Sequence, residues 1–283
     1  MRTCARSTAA RTGWSDREGG AVSVATRPQV FGPDWRVRIG WLALIAYVIY
    51  AASLLDVTWD RFVLGLEQGA RFIGRMFPPD TAPDKMKLLA RGLYETVEIA
   101  VISSVLGILL SLPIGLLAAR NLMPAWVTWP MRLFIALCRS FHQVIIAIVF
   151  VKAVGFGALA GILALTVASI GFVAKLFAEA IEEISLKQVE AVRSTGASFM
   201  NVVTYAVMPQ VLTRFVGFAT YQFDSNLRNS TMVGIVGAGG IGGTMFAAFQ
   251  KFDYDYLLTI LLAIIALIMV SEALQNGIKK LYQ

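Results

Sequence analysis

The sequence predicts an all-helical, polytopic membrane bundle of about six transmembrane helices, and three observations predict it. Of 283 residues, 57% are hydrophobic and only 15% charged, whereas a soluble domain carries about a quarter charged residues. Mean hydropathy is +0.67. Several stretches long enough to cross a bilayer contain no charge at all. The net charge of +7 does not change this reading, because seven arginines lie within residues 1–38. The excess belongs to a tail rather than to a face for nucleic acid.

The elements follow in order. Residues 1–37 are polar and basic and lack the apolar core of a signal peptide, so they read as a disordered cytoplasmic tail. Residues 38–57 form the first membrane helix, uncharged from Ile39 to Leu55, with Trp41, Tyr47 and Tyr50 suited to its interfaces. Residues 58–88 are an extracytoplasmic segment. There Phe62, Leu66, Ile73 and Phe77 recur at helical spacing between Arg61, Glu67, Arg71 and Arg75. That pattern predicts an amphipathic helix, lying on a surface or packed on the rest of the protein. FPPDTAPD at 77–84 then breaks the chain.

Residues 89–275 hold the remaining spans, expected near 99–119, 129–152, 158–178, 206–224 and 256–271. Residues 276–283 are a short C-terminus. With both termini in the cytoplasm, fourteen Lys and Arg residues lie inside and nine outside, the sign expected of loop charges.

Several function classes fall away. Cys4 and Cys138 support neither a disulfide framework nor a metal knuckle. His142 is the only histidine, which removes most zinc sites and any Ser-His-Asp triad, so no catalytic or metal residue is expected. Glu179, Glu182 and Glu183 read as a solvated face. No G-x-x-x-x-G-K-[ST] loop occurs, so this chain does not itself hydrolyse ATP.

Two regions carry chemistry. Residues 186–209 read as helix, turn, helix: Leu186, Val189 and Val192 repeat every three residues, and Gly196 suits the left-handed end of a helix. Ser198 is a good N-cap, and Pro209 marks the start of the fifth span. The result is a small knob beside the membrane, placed to meet a soluble partner.

The second region is the set of charges inside spans. An arginine at mid-span costs several kcal/mol unless it is paired or meets water. Arg139 is therefore expected either on a translocation pathway or paired with Glu95, Glu98 or Glu179. His142, expected on the same helix face, either shares a polar cavity with it or is a hydrogen-bonded core histidine. Asp224, Asn226 and Arg228 are expected where the fifth span meets the outer side. Arg228 would guide an oxyanion there or pair with Asp224 at i, i+4. Gly234, Gly237, Gly239, Gly240 and Gly242 form a glycine run without the strand a dinucleotide loop needs. They are expected as a gate or as close helix packing at a subunit interface.

Glu190-Ala191, Gly196 six residues later and Pro209 thirteen beyond that resemble the EAA loop of ATP-binding-cassette (ABC) importer permeases. Val192 and Ala206 depart from that pattern, which usually has alanine and a large aliphatic residue there. FAEAIEEI at 177–184 and FDSNLRNSTMVGIVGAGGIG at 223–242 narrow the resemblance to phosphonate permeases, over about residues 90–275. His142 stands where those permeases often have proline. Methionine permeases share the glycine-rich stretch.

The resemblance implies a type I ABC importer permease fold in a bacterial inner membrane. Glu190, Ala191, Gly196, Ala197, Ser198 and Pro209 would belong to the loop that couples to the ATPase. Implied partners are two ATPase subunits, which bind ATP and Mg while this chain holds no cofactor, an extracytoplasmic substrate-binding protein, and a second permease copy in a homodimer within the lipid. The cargo would be a phosphonate, with phosphate, phosphite or methionine as alternatives. A secondary transporter or channel is the competing class, but no internal repeat supports it.

Overall fold

The computed structural model describes residues 35–54 and 58–282, with side chains to residue 277. The N-terminal tail with Cys4, and the side chains of Lys279 and Lys280, lie outside the described residues. The chain divides into two compact units, residues 1–66 and 67–283.

In the first unit, helix α1 (Trp35–Leu54) has no buried residue and is long and apolar enough to cross a membrane. Helix α2 (Trp59–Arg75) begins there and ends in the second unit. In its second half Glu67 and Arg71 pair at i, i+4, and the Phe72 ring meets Tyr254 edge-on at 4.8 Å between centroids. That end of the amphipathic helix therefore packs on the protein.

The second unit is built around α3 (Pro83–Ala118) and α6 (Ala158–Glu182). At 1.5 Å per residue α3 is about 54 Å long, well beyond a hydrocarbon core of about 30 Å. Its buried face is mostly small: Gly92, Thr96, Ala100, Ser103, Ser104, Gly107, Ser111 and Gly115. Small residues let helix backbones approach where lipid supplies no hydrophobic drive. At Gly107 a methyl group would stand 2.3 Å from Ser169 Cβ of α6, so the α3 backbone packs directly on that side chain.

The expected third span is two helices, α4 (Ala125–Ser140) and α5 (Gln143–Val154), bent by 90°. This corrects the expectation that Arg139 and His142 share one helix face. Phe141 takes an extended conformation as the C-cap of α4, and His142 becomes the N-cap of α5. No glycine or proline marks the break; the imidazole Nδ1 accepts the Val144 N–H at 3.4 Å. Gly155 and Gly157, with φ of 93° and 131°, make the expected tight turn into α6.

Beyond α6 lie α7 (Leu186–Arg193), α8 (Phe199–Val202), a π-helical turn (Val203–Val207) and α9 (Met208–Ile235). The last three form one continuous rod of 37 residues. The helix that carries the fifth span thus starts earlier and ends later than the expected 206–224. The π turn has a local reason: proline lacks an N–H and its ring crowds the carbonyl four residues back. One extra residue in the turn before Pro209 absorbs both.

The segment after α9, expected as a polar glycine-rich stretch, contains a further helix, α10 (Ile241–Gln250), before α11 (Tyr254–Tyr282). Five helices are long and apolar enough to span a membrane, or six with the bent pair.

Candidate functional site: an exposed knob fastened to two spans

The α7 knob sits on an apolar cluster joining Phe177 and Ile181 of α6, Val189 of α7, Val202 of α8, and Val207, Val211 and Phe215 further along the rod. Val189 is 2% exposed, and burying a valine fully stabilises by about 1.5–3 kcal/mol. The Phe177 and Phe215 rings meet edge-on at 5.0 Å. Glu190, Ala191, Gly196, Ser198 and Pro209 are exposed, and Ala197 is half-buried.

Gly196 has φ of 77°, and its N–H bonds to the Arg193 carbonyl at 3.0 Å. It reverses the chain where a side chain would strain the backbone. Ser198 occupies the N-cap of α8 with no side-chain capping bond. The Glu190 carboxylate has no hydrogen bond or ion pair among the described residues, so it is free for another molecule.

Polar contacts also tie the knob down, and the sequence reading missed them. The Gln210 Oε1 accepts the Ser185 N–H at 3.0 Å, while its Nε2 donates to the Ala206 carbonyl at 2.6 Å. Glu183 pairs with Arg214 across α6 and α9. Glu182 accepts the Arg120 N–H at 2.8 Å and binds Arg132 at 2.5 Å. The three carboxylates expected as one solvated face divide their work, with Glu179 pairing with Lys175 at 3.4 Å. A side-chain pair across helices is invisible to a reading that follows one helix at a time.

The in-span residues part company. Asn226 is fully buried. Its Nδ2 donates to Ser104 of α3 at 2.9 Å and to Ser169 of α6 at 2.8 Å, and its Oδ1 accepts from Gln222 at 2.8 Å. It bonds three helices together and lines no open path in this chain. Asp224 is also buried; it pairs with Arg228 and accepts from Gln275 of α11 at 3.0 Å.

Helix α9 continues beyond these residues to Ile235. Arg228 itself is 47% exposed and lies 3.9 Å from Glu272, which is 54% exposed. With Tyr221, Ser225 and Met232 it forms one unburied stripe along α9. Charges held open within a span face water or another polypeptide rather than lipid.

Arg139 forms none of the three expected pairs, and has no ion pair among the described residues. Its stem lies against Gly171, where a methyl group would meet Arg139 Cγ at 2.8 Å. The glycine run is close-packed. A methyl on Gly242 would stand 1.9 Å from the Thr231 carbonyl oxygen, and one on Gly234 2.5 Å from that of Gly239. Gly237, Gly239 and Gly240 all have positive φ and carry the chain from α9 into α10. There Thr96 Oγ1 accepts the Ile241 N–H at 2.8 Å.

At the opposite end of the bundle from α7, Lys85 joins Asp80 at 2.7 Å and Asp253 at 2.5 Å. The Lys85 ammonium and the Ala82 N–H together hold the Asp80 carboxyl below the usual carboxylate range.

Comparison with known proteins agrees with this architecture. Residues 111–281 match the family described as binding-protein-dependent transport system inner membrane component. The chain is 36% identical over 255 residues to the phosphite transport system permease protein PtxC of Stutzerimonas stutzeri, covering 88% of this chain and 91% of that one. It is 41% identical over 206 residues to the phosphate-import permease protein PhnE of Mycolicibacterium smegmatis, covering 72% of this chain and 38% of that one. A putative cryptic phosphonate transport system permease protein, PhnE2 of Escherichia coli, is 36% identical over 118 residues, 42% of this chain and 97% of that one.

Among solved structures, an inward-facing MetNI methionine ABC transporter superposes with a TM-score of 0.65 at 26% identity, over 72% of this chain and all of that one. The chain therefore belongs to the binding-protein-dependent transport system inner membrane components, the non-catalytic permeases that work with an ATPase and a substrate-binding protein.

Proposed function

We propose that this chain forms, with a second copy of itself, the pore of an ATP-driven importer for phosphonates. The observation that carries the mechanism is the α7 knob, exposed at Glu190 and fastened at Val189 to α6 and the α8–α9 rod. On this reading the knob faces the cytoplasm, as do both termini, and each of two knobs seats in one ATPase subunit. ATP and Mg bind there, in the partner. When the ATPases close, the knobs move together. The fused helix α8–α9 has no loop in which to absorb that motion, so it turns as a lever. The Arg228 stripe on the same helix then moves relative to its counterpart, opening the path toward the binding protein.

The cargo rests on likeness to relatives whose names specify phosphite, phosphate and phosphonate. All three are phosphorus oxyanions, suited to a guanidinium such as Arg228. Phosphite is the second reading, favoured by the near full-length match to a phosphite permease.

The test is ATPase activity of the reconstituted complex with binding protein loaded in turn with methylphosphonate, phosphite, phosphate and methionine. Stimulation by methylphosphonate above the others is expected. Stimulation by another ligand alone replaces the cargo, and failure to bind any ATPase subunit overturns the reading.

A further inference from the structure

At the α7 end of the bundle, α3, α4 and α6 enclose a cavity of about 380 Å³ that the transport reading does not use. Arg120, Arg132, Arg139 and Lys175 line it, against the single carboxylate Glu179. Glu182 takes up Arg132, and Glu179 lies 3.4 Å from Lys175. The guanidinium groups of Arg120 and Arg139 are left without a hydrogen bond or ion pair among the described residues. A second cavity of about 290 Å³ adjoins it, sharing Arg120 and Arg132 and walled by Trp129. Two unneutralised guanidiniums in one concave space attract an anion, and the planar fork of arginine suits tetrahedral phosphorus oxyanions.

The surroundings indicate where that anion comes from. Trp126, Trp129, Leu133 and Leu137 lie along one stripe of α4 and are exposed, the two tryptophans at 78% and 70%. Tryptophan below an apolar stripe is the pattern of a helix facing lipid, with its indoles at headgroup level. Arg132 and Arg139 stand two turns apart on an adjoining side of the same helix. A lipid lying along Leu133 and Leu137 would thus bring its phosphate to the arginines. Basic pockets between membrane helices take acidic headgroups in this way.

We propose that this cavity is a binding site for a phosphorus oxyanion, supplied by the headgroup of an acidic glycerophospholipid. A free phosphorus oxyanion shares the chemistry and is the other source. The site does not depend on which cargo the pore carries.

The full-length chain is purified into nanodiscs of dioleoylphosphatidylcholine with a minor share of dioleoylphosphatidylglycerol, and the lipids it retains are read by native mass spectrometry. The wild type should retain phosphatidylglycerol preferentially. An Arg120→Gln/Arg139→Gln double variant should lose that preference, by roughly fivefold for each cation removed. Arg139→Lys, which keeps the charge, should retain most of it. If the double variant does not purify, Arg120→Gln alone tests the site, since that guanidinium makes no hydrogen bond or ion pair among the described residues. Millimolar inorganic phosphate is added in a parallel arm. Displacement of phosphatidylglycerol by phosphate, or binding of phosphate alone that the variants abolish, assigns the site to a free anion. Equal lipid retention by wild type and variants, with no phosphate binding, overturns the proposal.

Discussion

Gln210 holds Ser185: one amide side chain accepts the Ser185 N–H at 3.0 Å and donates to the Ala206 carbonyl at 2.6 Å. It stands on the third residue after the π turn, so it fastens the start of the knob to the start of the span. A push on α7 reaches α9 through this amide as well as through the Val189 contact.

Gln210→Ala therefore loosens transmission without removing the knob. Each hydrogen bond contributes about 0.5–1.5 kcal/mol, so substrate moved per ATP hydrolysed should fall roughly two- to tenfold. ATP hydrolysis by the complex should persist. Parallel uptake and hydrolysis assays in proteoliposomes check it, and an unchanged ratio would remove Gln210 from the coupling path.

Gly242 and Gly243 are adjacent but not equivalent. A methyl at 242 meets the Thr231 carbonyl oxygen at 1.9 Å, whereas one at 243 meets only the Gly234 carbonyl oxygen at 3.5 Å. Overpacking of this kind costs about 1–3 kcal/mol or more. Gly242→Ala should abolish or sharply lower the yield of folded protein, while Gly243→Ala melts within a degree or two of the wild type. Equal melting in a detergent thermal-shift assay would contradict the packing role.

Asn226 separates a structural from a pathway role. Asn226→Leu leaves the Gln222 amide and the Ser104 and Ser169 hydroxyls short of partners, at a cost of about 1–3 kcal/mol. The expected result is a lower Tm, with the substrate concentration for half-maximal uptake unchanged in the protein that folds. A shifted half-maximal concentration at constant Tm would return Asn226 to the pathway.

Asp80 gives a pH signature. Its carboxyl titrates below the ordinary value of 3.8 because it faces Lys85. A depressed acid contributes stability that is fully present above the unfolded value and is lost as pH falls through the folded one. Wild type and Asp80→Asn should therefore differ in Tm by the same amount at pH 7 and pH 5, and converge only below about pH 4. Convergence between pH 7 and pH 5 would contradict the Asp80–Lys85–Asp253 link.

Much of this architecture is legible in the chain. Uncharged runs locate the helices, and the Glu190, Gly196 and Pro209 spacing locates the knob, because both signals lie along one strand of sequence. The bend at Phe141 and His142 was illegible for the same reason: apolar runs flank it on both sides, and neither glycine nor proline announces it. Helix α10 hid behind its glycines, which read as loop until Thr96 and the backbone of α9 are in place. The roles of Gln210, Glu182 and Glu183 are set by partners 25 to 62 residues away, beyond any local pattern.

The most direct test of the account is Glu190→Arg, with uptake and ATP hydrolysis measured in the same proteoliposomes. Glu190 is exposed and unpaired among the described residues, so the variant should insert and fold as the wild type does. The account predicts that uptake falls to background because the knob no longer engages the ATPase. Uptake at the wild-type rate in the correctly inserted variant would contradict it.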